Sequence, residues 1–127
     1  MMDSLKNFRF ESLTIWQDSI IIADKMFDIA EKLTNERLFR FTEQLRGAAL
    51  SISNNIAEGS GSFSNKDFAN YLVIARKSIF ECANMLIIFE RRNLIDHKTR
   101  SELFSALLIL SSQITNFRKT LLKKTNK

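Results

Sequence analysis

Basic residues concentrate near the C-terminal end of the sequence. Residues 118 to 127 contain no acid and five cations: Arg118, Lys119, Lys123, Lys124 and Lys127. The chain has 19 basic and 14 acidic residues, so without these five the counts are equal and the net charge of +5 lies in this run. Lysine and arginine neutralise phosphates and release counterions, which makes the run a candidate site for RNA or DNA. Stabilisation of a helix dipole by the same cations is the alternative.

Five further cations in the second half of the chain extend this candidate site. They are Lys66, Arg76, Lys77, Arg91 and Arg92. If nucleic acid binds and the C-terminal run does not supply the affinity, we expect these residues to supply it.

The sequence predicts no catalytic site. His97 is the only histidine and Cys82 the only cysteine, so neither a metal-ligand set nor a nucleophile with an adjacent base is evident. We interpret Cys82 as a core residue, since free cysteine is usually buried. The turn at residues 59 to 62 lacks the lysine pattern of a phosphate-binding loop. We therefore expect a protein that is not an enzyme and needs no cofactor or metal.

The elements that position these residues are predicted to be helices. The chain has no proline, three glycines and 45% hydrophobic residues, which favours long helices in a single domain over residues 1 to 127. Apolar residues at spacings of three and four predict helices at about 12–33, 37–58, 65–92 and 97–124. Ser12, Ser64 and Asp96 are candidate N-caps, and Gly59 is a candidate C-cap. Short links predict an all-α, antiparallel up-down-up-down four-helix bundle.

The predicted third helix has more apolar surface than one core can bury. Its core seam contains Phe68, Leu72, Ala75, Ile79, Cys82, Leu86 and Phe89. A second stripe of Val73, Phe80 and Ile87 predicts contact with another copy of the chain. The alternative is that Phe8 and Phe10 fold over this stripe.

The predicted first and second helices carry two further patterns. In the first helix, Leu13, Trp16, Ile20, Ala23, Phe27 and Ala30 form the predicted seam, beside a second stripe of Ile15, Ile22, Met26 and Ile29. In the second helix, a polar seam runs along the apolar stripe and contains Arg40, Gln44, Gly47, Ser51, Asn55 and Glu58. Small neighbours favour a hydrogen-bond network that fixes register, and a solvated face is the alternative.

Nothing in the sequence predicts export or membrane insertion. The first residues lack an apolar targeting segment, and no later apolar run approaches the length of a membrane span. A single cysteine agrees with a reducing compartment. We expect a cytoplasmic protein that does not bind membranes.

Residues 44 to 59, QLRGAALSISNNIAEG, resemble the signature of bacterial four-helix-bundle proteins encoded by intervening sequences of 23S ribosomal RNA genes. Motif residues with an implied structural role are Gln44, Arg46, Ser51, Asn55, Glu58 and Gly59. Similarity extends over roughly residues 8 to 122, including Leu13, Trp16, Tyr71 and Glu81. Three positions depart from the family pattern, where Ser53, Ser62 and Lys77 replace a common proline, arginine and glycine.

That family is similar to the accessory protein of diversity-generating retroelements, a homopentameric barrel that binds nucleic acid and a reverse transcriptase. The resemblance implies a homopentamer here, and possible partners are RNA or DNA and a reverse transcriptase or other protein. We expect a self-assembling accessory protein that binds RNA or DNA. The alternative is a structural oligomer that acts through a protein partner without binding nucleic acid.

Overall fold

A computed structural model of the chain describes residues 7 to 125. A short 3-10 helix, Arg9–Ser12, precedes four long helices: α1 (Thr14–Asn35), α2 (Phe39–Ser60), α3 (Asn65–Arg91) and α4 (His97–Thr125). The described residues contain no strand, so the prediction of an all-α protein with four helices is confirmed. Lys127, part of the predicted nucleic-acid site, lies outside the described residues.

The helices pack in a closed ring around one core. Each helix contacts the next along the chain, and α1 also contacts α4. The helices α1 and α3 therefore lie diagonally opposite each other, as do α2 and α4. Links of three, four and five residues, at 36–38, 61–64 and 92–96, connect them.

The core follows the predicted apolar spacing closely in α3 and α4. All seven predicted seam residues of α3 are buried, and so are Leu103, Leu107, Leu110, Ile114 and Leu121 in α4. In α1 both predicted stripes contribute to the core. Ile15, Ile22, Met26 and Ile29 of the second stripe are buried, as are Ala23 and Ala30 of the predicted seam, whereas Leu13, Trp16 and Phe27 pack at the edge of the core. The packing of α1 against α4 as well as α2 buries the second stripe together with the small residues of the seam.

Two of the three predicted N-caps are present. The Ser64 hydroxyl accepts a hydrogen bond from the Asp67 amide at 3.0 Å, and the Asp96 carboxylate accepts one from the Thr99 amide at 2.8 Å. The prediction for Ser12 is wrong. Ser12 ends the 3-10 helix, its hydroxyl donates to the Arg9 carbonyl, and α1 starts after Leu13 without a side-chain cap.

The prediction that Gly59 caps the end of α2 is also wrong. Gly59 lies inside α2, which continues to Ser60. A Cβ atom at this position would lie 2.7 Å from Phe68 Cδ1 and 2.7 Å from Tyr71 Cβ. The glycine is therefore needed because α2 and α3 approach closely here.

Left-handed residues end α1 and α3 instead. Arg37 and Asn93 both have φ of 62°. The amides that follow them, at Leu38 and Leu94, donate back to the carbonyls of Leu33 and Phe89 at 2.9 and 2.8 Å. This six-to-one bond is the Schellman pattern, which satisfies carbonyls at a helix end without requiring glycine.

Phe8 and Phe10 do not cover the exposed stripe of α3. Phe8 stacks on Phe10, and Phe10 contacts Trp16 of α1. The 3-10 helix contacts α1 and α2. Phe80 and Ile87 remain 56% and 45% exposed, so the alternative in which Phe8 and Phe10 cover them is wrong.

Candidate nucleic-acid interface

Four of the predicted cations converge on one groove between α3 and α4. Arg76 and Lys77 come from α3, and Arg118 and Lys119 come from α4. The groove also contains uncharged side chains of Leu72, Val73, Ile114 and Thr115. No carboxylate lines the groove among the described residues, so its electrostatic potential is positive. We call this groove, with its four cations and four uncharged lining residues, the basic groove.

Both arginines of the basic groove are held in place by contacts within the chain. Arg118 is partly buried, and its Nε donates a 3.2 Å hydrogen bond to the Ala69 carbonyl of α3. The Arg76 guanidinium lies over the Phe80 ring, 4.7 Å from its centroid. Each guanidinium retains further N–H donors for an anion, and holding it in advance reduces the entropy lost on binding.

The shape of the basic groove suits an extended polyanion better than an enclosed small molecule. Its volume is about 290 Å³, just below the roughly 300–1,000 Å³ of typical small-molecule pockets. It runs along two helices and is open to solvent. A phosphate backbone can lie along such a groove without being enclosed.

The other predicted cations do not all belong to this surface. Lys66, near the start of α3, and Lys123 and Lys124, near the end of α4, are exposed. Arg91 and Arg92 are also exposed, but they follow Lys77 by 14 and 15 residues, about 20 Å along α3. These two arginines are therefore separate from the basic groove.

An apolar surface continues from the basic groove along the same two helices. Phe80, Ala83, Phe104 and Leu108 line it, and Phe80 and Leu108 are 56% and 67% exposed. We call these four residues the Phe80 face. Ile87, 45% exposed, lies two turns beyond Phe80 on α3, and Val73 is partly buried in the basic groove. The stripe predicted from the sequence therefore extends over both surfaces.

Some residues of the polar seam of α2 form side-chain hydrogen bonds, and the others are exposed to solvent. Asn55 Nδ2 donates to the Ser51 carbonyl at 2.7 Å and to the Ser51 hydroxyl at 3.0 Å. Across the helix boundary, the Ser78 hydroxyl of α3 lies 2.8 Å from the Ser51 hydroxyl. The remaining members, Arg40, Gln44, Gly47 and Glu58, are exposed. A small network thus connects α2 with α3 through Ser51.

The histidine lies beside an ion pair on the surface, and the cysteine lies in the core. His97 is exposed, and its Nδ1 lies 3.3 Å from Glu90 Oε2. Arg100 Nε donates to Glu90 Oε1 at 2.6 Å, and this bond lowers the pKa of Glu90 below its ordinary value. Cys82 is fully buried as predicted, and burial raises the pKa of its thiol to about 12. Among the described residues, no group of three or more His, Cys, Asp or Glu could hold a metal ion.

Sequence reasoning missed how the basic groove forms. Arg76 and Arg118 are 42 residues apart, and only the pairing of α3 with α4 brings them together. The one available signal for the groove was the position of Lys77, which lies on the same side of α3 as Val73 and Phe80 of the predicted contact stripe. No helix among the described residues is long and apolar enough to cross a membrane.

The fold and the basic groove define an all-helical, four-helix protein with a cationic surface and no evident catalytic centre among its described residues. The chain belongs to the 23S rRNA-intervening sequence protein family, whose family model matches residues 11–116. Comparison with curated proteins gives no significant match.

A solved structure shares the fold. It is a protein of unknown function from the S23 ribosomal protein family of Bacteroides thetaiotaomicron. The identity is 23%, the TM-score is 0.78, and the match covers 84% of this chain and 99% of the other. At this identity the likeness shows the fold alone.

Proposed function

We propose that the protein is a non-catalytic accessory protein that assembles with copies of itself and binds RNA or DNA through the basic groove. The observation that carries the nucleic-acid proposal is the convergence of Arg76, Lys77, Arg118 and Lys119 on one groove without a lining carboxylate. Phosphate contacts of this type supply most of non-specific nucleic-acid affinity.

The proposal of self-assembly is supported by the Phe80 face. Exposed apolar side chains on adjacent helices, with Phe80 and Leu108 more than half exposed, are typical of a contact surface. We propose a pentamer, because the family that residues 44–59 resemble is in turn similar to the pentameric accessory protein of retroelements. Within each copy the helices alternate in direction, which is supported by links of only three to five residues.

A second candidate is a structural oligomer that acts through a protein partner without nucleic acid. The observation that favours it is the same Phe80 face, because an apolar surface of this kind binds protein. The two candidates differ in whether the basic groove has a ligand.

Fluorescence anisotropy with a labelled single-stranded RNA and a labelled DNA duplex, at several salt concentrations, tests the nucleic-acid proposal. The test variant reverses two exposed lysines, Lys77→Glu with Lys119→Glu. The control reverses Arg91 and Arg92 to glutamate, which changes the net charge equally at the other end of α3. We expect the test variant to lose at least tenfold in affinity and the control to lose much less.

The salt dependence gives a second readout. Each lost phosphate contact reduces the log–log salt slope by about 0.9 on duplex DNA or about 0.7 on single strands, so the test variant should lose about 1.4 to 1.8. Absence of binding at low salt would reject the nucleic-acid proposal. An equal loss in both variants would place the site outside the basic groove. Charge reversal at Lys123 and Lys124 then measures how much the end of α4 contributes.

Light scattering and native mass spectrometry test self-assembly. We expect a single oligomeric species at micromolar concentration. A stable monomer would reject self-assembly, and a dimer would reject the pentamer while retaining self-association.

A further inference from the structure

A second apolar surface lies on the other side of α4, between α4 and α1. Ile21 and Ile109 are 56% and 59% exposed and line a shallow groove together with Ala106, Asp18 and Gln113. We call these five residues the Ile109 face. It shares no lining residue with the Phe80 face, so α4 has a separate apolar surface on each side.

The Ile109 face contains a carboxylate beside its apolar side chains. Asp18 is partly buried, and its carboxylate forms no ion pair with the described residues. Gln113 Oε1, by contrast, is buried within the chain, so the free acceptor of this face is Asp18. The face therefore fits a partner that combines apolar side chains with a cationic donor.

The Phe80 face has that combination. Arg76 lies directly over the Phe80 ring, and Lys77 is the next residue. Donors thus stand beside an apolar surface on one side of the molecule, and the Asp18 carboxylate stands beside an apolar surface on another side.

We infer that the Phe80 face of one copy binds the Ile109 face of the next copy. Phe80 and Leu108 pack against Ile21 and Ile109, and Arg76 donates to Asp18 of the neighbouring copy. This inference rests on the self-association proposed above and adds the second surface, which makes the contact head-to-tail.

The order of residues along α4 supports copies that run in the same direction. On the Phe80 side, apolar Phe104 and Leu108 precede the polar Thr115 and Arg118 of the basic groove. On the other side, apolar Ile109 precedes Gln113. When neighbouring copies are parallel, apolar side chains therefore face apolar side chains, and Arg76 lies at the level of Asp18 in the neighbouring copy.

The angle between the two faces supports a closed ring. The α3–α4 and α4–α1 sides are adjacent sides of the bundle, so they point roughly 90° apart. Neighbours in a closed ring lie about 90° apart for four copies and about 108° apart for five. A ring built this way has α4 toward its centre. Arg76 then belongs to the contact between copies, and Lys77, Arg118 and Lys119 are the cations of the basic groove left for an anion.

Other exposed apolar side chains of the long helices do not form a comparable surface. Phe39 and Leu50 on α2 are eleven residues apart, about 16 Å, and Ile74 and Ile88 on α3 are fourteen apart, about 21 Å. The Ile109 face is distinguished from them by its groove and by the Asp18 carboxylate beside it.

Matched glutamate substitutions at exposed positions test the pairing. Phe80→Glu disrupts one face and Ile109→Glu the other, and Leu50→Glu, at a 45% exposed position of α2, is the control. We expect both single variants to be monomers and the control to assemble, with circular dichroism showing that all remain helical. An equimolar mixture of the two monomeric variants should form a dimer, because each retains the face that the other lacks.

The outcomes separate this inference from the proposed function. If Phe80→Glu still assembles, self-association through the Phe80 face is wrong. If Phe80→Glu is monomeric and Ile109→Glu still assembles, self-association stands and the head-to-tail pairing is wrong. A mixture that remains monomeric also overturns the pairing.

A charge exchange tests the polar contact. Asp18→Arg and Arg76→Asp should each raise the dissociation constant of the assembly at least tenfold, and the double variant should recover most of the loss. A double variant weaker than either single variant would overturn the Arg76–Asp18 contact.

Discussion

Helix α3 packs closely against α2 on one side and borders solvent-exposed grooves beside α4 on the other. On the α2 side, Gly59 allows contact with Phe68 and Tyr71, and hydroxyls of Ser51 and Ser78 meet at 2.8 Å. On the α4 side, aromatic and long cationic side chains line the boundary between the two helices. There the basic groove and the Phe80 face are open to solvent.

The difference shows how side-chain size assigns roles to two sides of one helix. Small residues let backbones approach and leave no space for a ligand. Aromatic and long cationic residues at the boundary create grooves instead. We therefore expect substitutions on the α2 side to change stability, and substitutions on the α4 side to change binding and assembly.

The largest expected effect on stability is at Gly59. Gly59→Ala places a Cβ atom within 2.7 Å of Phe68 and Tyr71 side chains, so α2 and α3 must separate. We expect a loss of about 1–3 kcal/mol in the free energy of unfolding. For a domain of this size that lowers the melting temperature by about 4–12 °C, measured by circular dichroism at fixed protein concentration.

Gly47 is the matched control on the same helix. A Cβ atom at Gly47 meets nothing within 4 Å, and the residue is exposed. Gly47→Ala should raise stability by about 0.5–1 kcal/mol, because alanine restricts the unfolded chain and favours the helix. If both variants melted alike, close approach would not explain Gly59.

A smaller effect is expected in the network between α2 and α3. Asn55→Ala removes both hydrogen bonds to Ser51 and should lower stability by about 0.5–1.5 kcal/mol. Glu58→Ala, at an exposed position three residues later, should change stability by less than about 0.5 kcal/mol. Equal thermal melting of Asn55→Ala and the parent would show that the network is not a source of stability.

The third prediction concerns the ion pair that joins α3 with α4. The Arg100 hydrogen bond lowers the pKa of Glu90 in the folded state, so its stabilisation is present above the unfolded pKa of about 4.3. It is lost as the pH falls through the lower folded pKa. Glu90→Gln should therefore melt below the parent at pH 7, and the two melting temperatures should converge once the pH lies below the folded pKa of Glu90.

Glu43→Gln, at an exposed position on α2 without an ion pair among the described residues, is the control for the removal of one carboxylate. Its melting temperature at pH 7 should stay close to that of the parent. An offset between Glu90→Gln and the parent that does not change as the pH falls would contradict the role of the Glu90 charge.

Much of the fold could be predicted from the sequence because the core spacing is regular. In α3 and α4, apolar residues alternate at three and four without interruption; these positions are buried except Phe117, which packs at the edge of the core. In α1 two adjacent stripes both reach the core, and only contact with neighbouring helices decides which of their residues are buried. Gly59 was misinterpreted because a glycine near a helix end can serve either a left-handed turn or a close approach.

The candidate site was less predictable because it depends on pairing between helices. The cations could be identified from the sequence. Their grouping could not, because Arg118 belongs to the C-terminal run and Arg76 to the second predicted set. The fold joins them and separates Arg91 and Arg92. The Ile109 face was missed entirely, since Ile21, Ile109 and Gln113 lie on two helices and follow no shared period.

Because Cys82 is buried, the rate at which its thiol is alkylated measures how often the core opens. The thiolate is the nucleophile that attacks alkylating reagents, and a thiol pKa of about 12 leaves almost none of it at neutral pH. Because this is the only cysteine in the sequence, modification of the native chain requires the core to open. The rate of alkylation in excess reagent then reports how often α3 separates from its neighbours, without any engineered label.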